Sequence, residues 1–250
     1  GLCAVLSGSI ENVKLLSGSV TGENCAVGGF AAVMENGSII NCENRLDVTG
    51  KGNADNCATG GIAGIVKNGT LSDLQNIGKI IGVKYVGGIF GKTSADGVKI
   101  ERLANHAEIE ATGAYVGGVA GYYSRTGEYN MFDFENSGNI SGGDYVGGIF
   151  GAFQNKKSYR DNKKRVANVK IVNNSGNVTA NGNYAGGLFG YLEFEGVPVN
   201  YYGDYSNSEQ ALNMEEAKNS GNVTGVYYVG GLIGYGITDS GNTSILKGKS

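Results

Sequence analysis

The chain has 250 residues, of which 45 are Gly and one is Pro, and its formal net charge is -3. A collagen helix requires Gly at every third position and abundant Pro, so the composition excludes it. The many Val, Ile and Tyr residues argue against disorder. The longest mostly apolar run, 226–237, is too short for a membrane helix, which needs roughly 20 residues, so we expect no transmembrane segment.

Taken in chain order, three marks recur together about seven times. A Gly-Gly-apolar-apolar-Gly box, preceded by a degenerate copy at 28–32, begins at Gly60, Gly87, Gly117, Gly147, Gly186 and Gly230. Upstream of each box stands an Asn, or Leu16 in the earliest copy, at Asn44, Asn76, Asn105, Asn136, Asn174 and Asn219. Four residues after each of these marks stands a β-branched residue, at Val20, Val48, Ile80, Ile109, Ile140, Val178 and Val223. A repeat of this length indicates stacked structural units.

Each unit predicts three short strands: one that ends at the Asn, one that carries Val or Ile, and one that carries the Gly-Gly box. β-branched side chains suit a pleated, half-buried surface. Such a unit buries its apolar face only by stacking on its neighbours. We therefore predict an all-β fold, a parallel three-strand-per-coil β-solenoid of about seven coils, with right-handed winding as the default. Residues 1–250 form one domain in this interpretation.

Stacking in register turns each mark into a column of like residues. Six Asn side chains are expected to form an amide ladder at a turn, and the Gly doublets are expected where the backbone turns tightly or approaches another segment. A Tyr lies two residues before most boxes, at Tyr85, Tyr115, Tyr145, Tyr184 and Tyr228. A small apolar residue follows each Tyr. If that residue points inward, the tyrosine column points outward.

Two boxes, Gly187-Leu188-Phe189-Gly190 and Gly231-Leu232-Ile233-Gly234, resemble the GLUG motif of bacterial surface proteins. That repeat occurs in regions of IgA-cleaving metalloproteases and in haemagglutinin-like adhesins. The resemblance extends over nearly the whole chain, although the first copy departs from it at Ala31-Ala32. It implies an exported, extracellular or cell-surface protein. Because the chain begins inside a box, we expect it to be a fragment of a longer array.

Two long insertions fall between a box and the next Asn, so they are expected along a single edge of the solenoid. Residues 152–165 carry six basic residues and one acid, and residues 191–216 carry six acids and no base. Their opposite charges predict that they fold onto each other, the alternative being two separate solvated loops. Ser206 and Glu209 match a helix capping box, which predicts a short helix over 207–217. Since the acidic loop cancels the basic one, nucleic-acid binding is not expected.

Exposed aromatic residues are the candidate ligand contacts. The acidic insertion carries Tyr191, Phe194, Tyr201, Tyr202 and Tyr205, and the outward column adds Tyr145, Tyr184 and Tyr228. Aromatic rings in such an arrangement can stack on sugars, which predicts a carbohydrate-binding module. The alternative is structural: the loop aromatics pack over the edge of the coils and the column rings stabilise one another.

The sequence offers little for catalysis or for a cofactor. His106 is the single His, and neither His-Glu-x-x-His nor Cys-x-x-Cys occurs, so no metal or cofactor is expected. A β-helix enzyme acting on polysaccharides would need paired carboxylates, which Glu193, Glu195 and Asp204 could supply. Cys25 and Cys57 occupy equivalent positions, which leaves open either a disulfide or two thiols. Cys3 and Cys42 align with core positions.

We expect a non-catalytic segment of a bacterial surface protein that acts as a rigid stalk or adhesive scaffold. The implied partners are a host glycan or surface protein, together with neighbouring repeats or domains of the same chain. A carbohydrate-binding module is the first alternative, and a carbohydrate-active β-helix enzyme is the second.

Overall fold

The computed structural model describes residues 1–156, 165–194, 210–238 and 243–247. Every regular element in these ranges is a β-strand, and all pairings between strands are parallel. The strands stack into four sheets, and the chain visits sheets A, B, C and D in turn before it begins the next coil. This arrangement confirms the predicted parallel β-solenoid, while its handedness stays a prediction.

The four sheets are defined by their strands. Sheet A contains Cys3–Leu6, Ala31–Met34, Ala63–Val66, Phe90–Thr93, Ala120–Arg125, Phe150–Asn155, Phe189–Phe194 and Ile233–Thr238. Sheet B contains Ser9–Glu11, Lys14–Leu15, Ser38–Asn44, Gly69–Asn76, Val98–Asn105, Tyr129–Asn136, Arg165–Asn174, Gln210–Asn219 and Thr243–Lys247. Sheet C contains Ser19–Gly22, Asp47–Gly50, Ile80–Gly82, Ile109–Ala111, Ile140–Gly142, Val178–Ala180 and Val223–Thr224. Sheet D contains Val27–Gly28, Thr59–Gly60, Val86–Gly87, Val116–Gly117, Val146–Gly147, Asn183–Gly186 and Tyr227–Gly230.

Each coil contains four strands rather than the expected three. The segment around the Gly-Gly box divides in two, because the chain turns after the first Gly of the doublet, as between Val86–Gly87 of sheet D and Phe90–Thr93 of sheet A. The predicted strand ending at Asn is sheet B, and the predicted β-branched strand is sheet C. In that column Ile80 pairs with Val48 and with Ile109, and Ile109 pairs with Ile140.

Two hydrophobic cores run side by side along the solenoid. The larger one lies between sheets A and B and contains aromatic residues such as Phe90, Phe150 and Phe189, all fully buried. The smaller one lies between sheets C and D and consists mainly of Val, Ile and Ala, with Ile80 and Val116 among its fully buried members. Because both cores continue from coil to coil, each coil contributes the apolar surface that its neighbours bury.

The six Asn residues form the predicted ladder. In five bonds, the Nδ2 atom of one Asn donates to Oδ1 of the next Asn along the axis, at 2.8 Å from Asn44 to Asn76 and 2.9 Å from Asn76 to Asn105. The same Nδ2 also donates to the backbone carbonyl two residues ahead, as from Asn136 to Gly138 at 2.8 Å. All members except Asn219 are buried, and these bonds meet the requirement that buried polar groups be paired.

The ladder explains the second Gly of every doublet except the last one, where Gly231 has open space around its Cβ position. A Cβ added to Gly118 would lie 2.2 Å from the carbonyl oxygen of Gly148 and 2.6 Å from Cγ of Asn136. Side-chain carbons do not approach backbone oxygens this closely, so only Gly fits between the ladder and the next coil. Close approach, rather than positive φ, therefore places Gly in the box.

The predicted helix over 207–217 is wrong where the structure describes it. Residues Gln210–Asn219 form a strand of sheet B that pairs in register with Arg165–Asn174. Alternate residues Leu212 and Met214 are buried in the larger core, so stacking on the preceding coil overrides the local capping signal.

Both long insertions leave the solenoid at the corner between sheets A and B, as expected, and their first and last residues belong to strands. The predicted contact between the loops falls on 157–164 and 195–209, which lie outside the described residues. In the described part of the chain, no helix is long and apolar enough to cross a bilayer.

All four cysteines are free, which agrees with the two-thiol interpretation of Cys25 and Cys57. Cys25 is exposed and Cys57 is buried. Cys42 is buried in the larger core, as expected, whereas Cys3 is half-buried at the first coil and packs against that core.

Candidate functional site

The tyrosine column stands on the outside of the solenoid, directly before or within the strands of sheet D. Consecutive rings lie nearly parallel, with centroids 5.1, 4.8, 4.7 and 5.0 Å apart from Tyr85 through Tyr228. The middle rings are half-buried and Tyr228 is exposed. The predicted outward column is therefore confirmed.

Every tyrosine of this column has a left-handed backbone, with φ between 53° and 66°. A bulky residue pays about 1–3 kcal/mol for such a conformation. Each of the four stacked pairs contributes about 0.5–1.5 kcal/mol, so the stacking offsets part of that strain. The conformation turns each side chain out of the coil while the small residue that follows, such as Val116 or Val146, points into the smaller core.

A second aromatic column from sheet A packs edge-on against the first. Tyr122 lies T-shaped against Tyr115 with centroids 5.6 Å apart, and Tyr191 lies T-shaped against Tyr145 at 5.5 Å. Tyr191 also stacks on Tyr235 at 5.8 Å. The tyrosine column, together with Tyr122, Tyr191 and Tyr235, forms a surface that we call the tyrosine face.

The tyrosine face offers ring edges and hydroxyls rather than ring faces, because each inner ring is covered on both sides by its neighbours. At the N-terminal end the ring of Tyr85 is covered by two ammonium groups, Lys84 at 4.8 Å and Lys92 at 4.5 Å from its centroid. Burial raises the pKa of Tyr115 and Tyr145, so both stay neutral and can donate hydrogen bonds. The face therefore suits contacts with polar oxygen atoms along its length.

The other aromatic residues predicted as ligand contacts do not belong to the tyrosine face as described. Phe194 is fully buried in the larger core, where its ring centroid lies 6.2 Å from that of Phe153, so it is not a surface contact. Tyr201, Tyr202 and Tyr205 lie outside the described residues.

Sheet B carries a second candidate site that sequence reasoning missed. Six long strands of this sheet each contain one residue with a left-handed backbone, where the strand bends: Asn41, Asp73, Arg102, Asp133, Ile171 and Glu216. Asn12, between the short strands Ser9–Glu11 and Lys14–Leu15, makes the equivalent bend in the first coil. The bend makes the outer surface of the sheet concave. A cavity of about 450 Å³ follows this concave surface along the axis, and five of the seven bend residues line it. We call it the bend groove.

The bend residues pair along the groove in different ways. Asn41 Nδ2 donates to Oδ1 of Asn12 at 2.6 Å. Arg102 donates two hydrogen bonds to Asp73, from Nε to Oδ1 at 2.5 Å and from Nη2 to Oδ2 at 2.9 Å. These bonds lower the pKa of Asp73 and raise that of Arg102. Within the described part of the chain, no hydrogen bond or ion pair engages the carboxylate of Asp133.

The groups considered for catalysis do not assemble into a reactive site in the described residues. His106 is exposed, and its Nδ1 lies 2.8 Å from Oγ of Ser137 on the next coil, with no carboxylate bonded to the ring. Glu193 accepts a hydrogen bond from Gln154 and lies beside Tyr191, while Glu195 and Asp204 fall outside the described residues. In those same ranges no group of His, Cys, Asp and Glu residues could hold a metal ion.

No family model, curated protein or solved structure matches this chain.

Proposed function

We propose that this chain is a non-catalytic, rigid scaffold of an exported bacterial surface protein, which holds contact surfaces at fixed spacing along its length. The observation that supports this function is the continuous parallel pairing of coils through the four sheets, with one register shift in the last pairing of sheet B. The Asn ladder joins six of these coils. Eight strands of sheet A give seven intervals of about 4.8 Å, or about 34 Å of axis.

Continuity from coil to coil makes this length stiff. A bend at any coil would break pairings in all four sheets and would open a bond between two buried Asn side chains. An enzyme needs reacting groups gathered at one place, whereas the described surface repeats the same features from coil to coil. Such repetition suits a spacer or an adhesive surface with several equivalent contact points.

Rigidity can be measured as a distance distribution between spin labels at the two ends of the solenoid. In a background that lacks the four native cysteines, labels at Ser9 and Ser220, both exposed, would report end-to-end distance by double electron–electron resonance. We expect one narrow distance peak. A broad or multiple distribution, with the protein folded by circular dichroism, would refute the rigid scaffold.

Surface function requires a second test in the producing cell. In that cell, a Gly/Ser linker of equal length would replace these 250 residues. Loss of attachment with unchanged export would support the scaffold, whereas full attachment through the flexible linker would contradict it. Polysaccharide turnover that disappears in the variant E193Q would contradict the non-catalytic assignment.

Glycan binding at the tyrosine face is the second candidate function, supported by the outward row of tyrosines. Among the described residues, no side chain or backbone group bonds the hydroxyls of Tyr115, Tyr145 and Tyr184, so all three are available to a ligand. The variant Y145F removes one hydroxyl and keeps the ring stack. We expect it to weaken binding on a glycan array, while Y123F, which changes a fully buried tyrosine, leaves binding unchanged. Equal binding by both variants would exclude hydroxyl-mediated recognition.

A further inference from the structure

The bend groove contains an acidic residue, Asp133, that lacks the bound guanidinium of its counterpart, Asp73. Asp73 and Asp133 occupy the same place in sheet B, two coils apart, and both have left-handed backbones. One coil above Asp73 stands Arg102, which binds it through two hydrogen bonds. Asp133 lies between Arg102, one coil below, and Ile171, one coil above, which offers no charge. The bonds of Arg102 go to Asp73, Ser72 and Glu101 and leave Asp133 without a partner among the described residues. The carboxylate of Asp73 therefore has a bound guanidinium, and that of Asp133 has none. The positions equivalent to Ser72 and Glu101, which also bond Arg102, hold Phe132 and Lys170 at the second place.

The cavity beside Asp133 has the space and the negative charge that a guanidinium group requires. Asp133, Glu135 and Ile171 all line the cavity of about 450 Å³, and Ile171 is 38% exposed. In the described ranges Glu135 also has no ion pair. The nearby ammonium of Lys170 is neutralised by Glu215, whose Oε2 lies 2.9 Å from Nζ. This end of the groove thus combines two open carboxylates with an exposed apolar side chain.

We propose that the bend groove binds an arginine side chain of a protein partner, with the guanidinium on Asp133 and its aliphatic stem against Ile171. Arg is favoured over Lys because its planar fork forms two parallel bonds with a carboxylate, as Arg102 does with Asp73. Arg102 also lies over the ring of Phe132, with Cζ 5.4 Å from the centroid, so the groove surface already accommodates a guanidinium.

This partner site goes beyond the scaffold function, since a rigid solenoid could exist without it. The end-to-end distance measurement does not involve the groove. Failure of one proposal is therefore distinguishable from failure of the other.

The probe is the peptide acetyl-Gly-Gly-Arg-Gly-Gly-amide, with the matched peptide in which citrulline replaces Arg. Citrulline has nearly the same shape and no charge. Binding is followed by the NMR signal of the Ile171 δ1-methyl group during titration to millimolar peptide. We expect the arginine peptide to shift this signal and the citrulline peptide to shift it at least tenfold less at equal concentration. Equal shifts, or none from the arginine peptide, would overturn the proposal.

Two variants locate the site. D133N should weaken binding of the arginine peptide about tenfold, because the charge-assisted bonds are lost. E128Q is the control, since Glu128 is an exposed acid outside the groove lining, and its affinity should equal that of the unchanged protein. Loss of affinity in both variants, or in neither, would contradict a specific site on Asp133.

A third variant supplies the missing cation from within the chain. I171R places an arginine one coil above Asp133, as Arg102 stands one coil above Asp73, with the carboxylate bonds of that pair but without its further bonds to Ser72 and Glu101. We expect a raised melting temperature and no residual peptide binding, and the double variant D133N/I171R should lose the thermal gain. An I171R protein that melts no higher than the unchanged protein, or that still binds the peptide, would refute the assignment.

Discussion

Removing one central member of the Asn ladder should cost far more stability than removing an exposed Asn. Asn136 donates to Oδ1 of Asn174 at 2.7 Å and to the carbonyl of Gly138 at 2.8 Å, and it accepts from Asn105 at 2.8 Å. In N136A the Asn174 and Gly138 oxygens lose a donor and Asn105 loses an acceptor, all in a buried region. Each unsatisfied buried group costs about 1–3 kcal/mol, so we expect the free energy of unfolding to fall by about 3 kcal/mol.

The measurement is urea unfolding of N136A beside N173A, followed by circular dichroism. Asn173 is exposed on the same sheet, and its side chain makes no hydrogen bond with the described residues, so N173A should change stability by less than about 0.5 kcal/mol. N219A, at the end of the ladder, should lie between the two because Asn219 is only half-buried. Equal stability of N136A and N173A would refute the idea that the ladder holds the coils together.

Three further outcomes are expected. G118A should unfold the protein or destabilise it strongly, since its Cβ would lie 2.2 Å from a carbonyl oxygen. G231A, whose Cβ would have no atom within 4 Å, should leave the melting temperature unchanged. A tolerated G118A would contradict the close-approach explanation. The pKa of Asp73 is lowered by Arg102, so the stability this pair contributes is present above the unfolded-state pKa near 4 and is lost as the pH falls through the lower folded-state pKa. D73N should remove that part of the acid dependence, and an unchanged pH profile of urea unfolding would count against the pair. In the native protein, which keeps its cysteines, the exposed Cys25 should react rapidly with a thiol reagent and the buried thiols should react slowly. Equal rates for all thiols would show that the cores open readily.

The repeating features of the fold could be predicted because stacking converts sequence position into spatial position. The Asn marks and the β-branched residues each recur once per unit, so a ladder and a buried column follow as soon as the units lie in register. The outward tyrosines follow from the small residue after each of them. These predictions depend on spacing within one unit and do not require knowledge of long-range contacts.

Features that depend on backbone bending were not predictable in this way. The seven bend residues of sheet B are of five types, Asn, Asp, Arg, Ile and Glu, so no column of like letters marks the groove. Neither does a Tyr signal a left-handed backbone, which is more typical of Gly or Asn. The incorrect helix over 207–217 has a related cause: a local capping pattern takes no account of the coil on which Leu212 and Met214 pack.

The Asn ladder also has a direction. In every bond the amide nitrogen of one Asn points to the oxygen of the next Asn toward the C-terminal end. A single reversed amide would set two NH₂ groups against each other on one side and two oxygens on the other. The amides must therefore choose their sense together, and aligned dipoles of this kind strengthen one another along the row. The solenoid thus carries a polar axis, so that its two ends present opposite partial charges to whatever meets them.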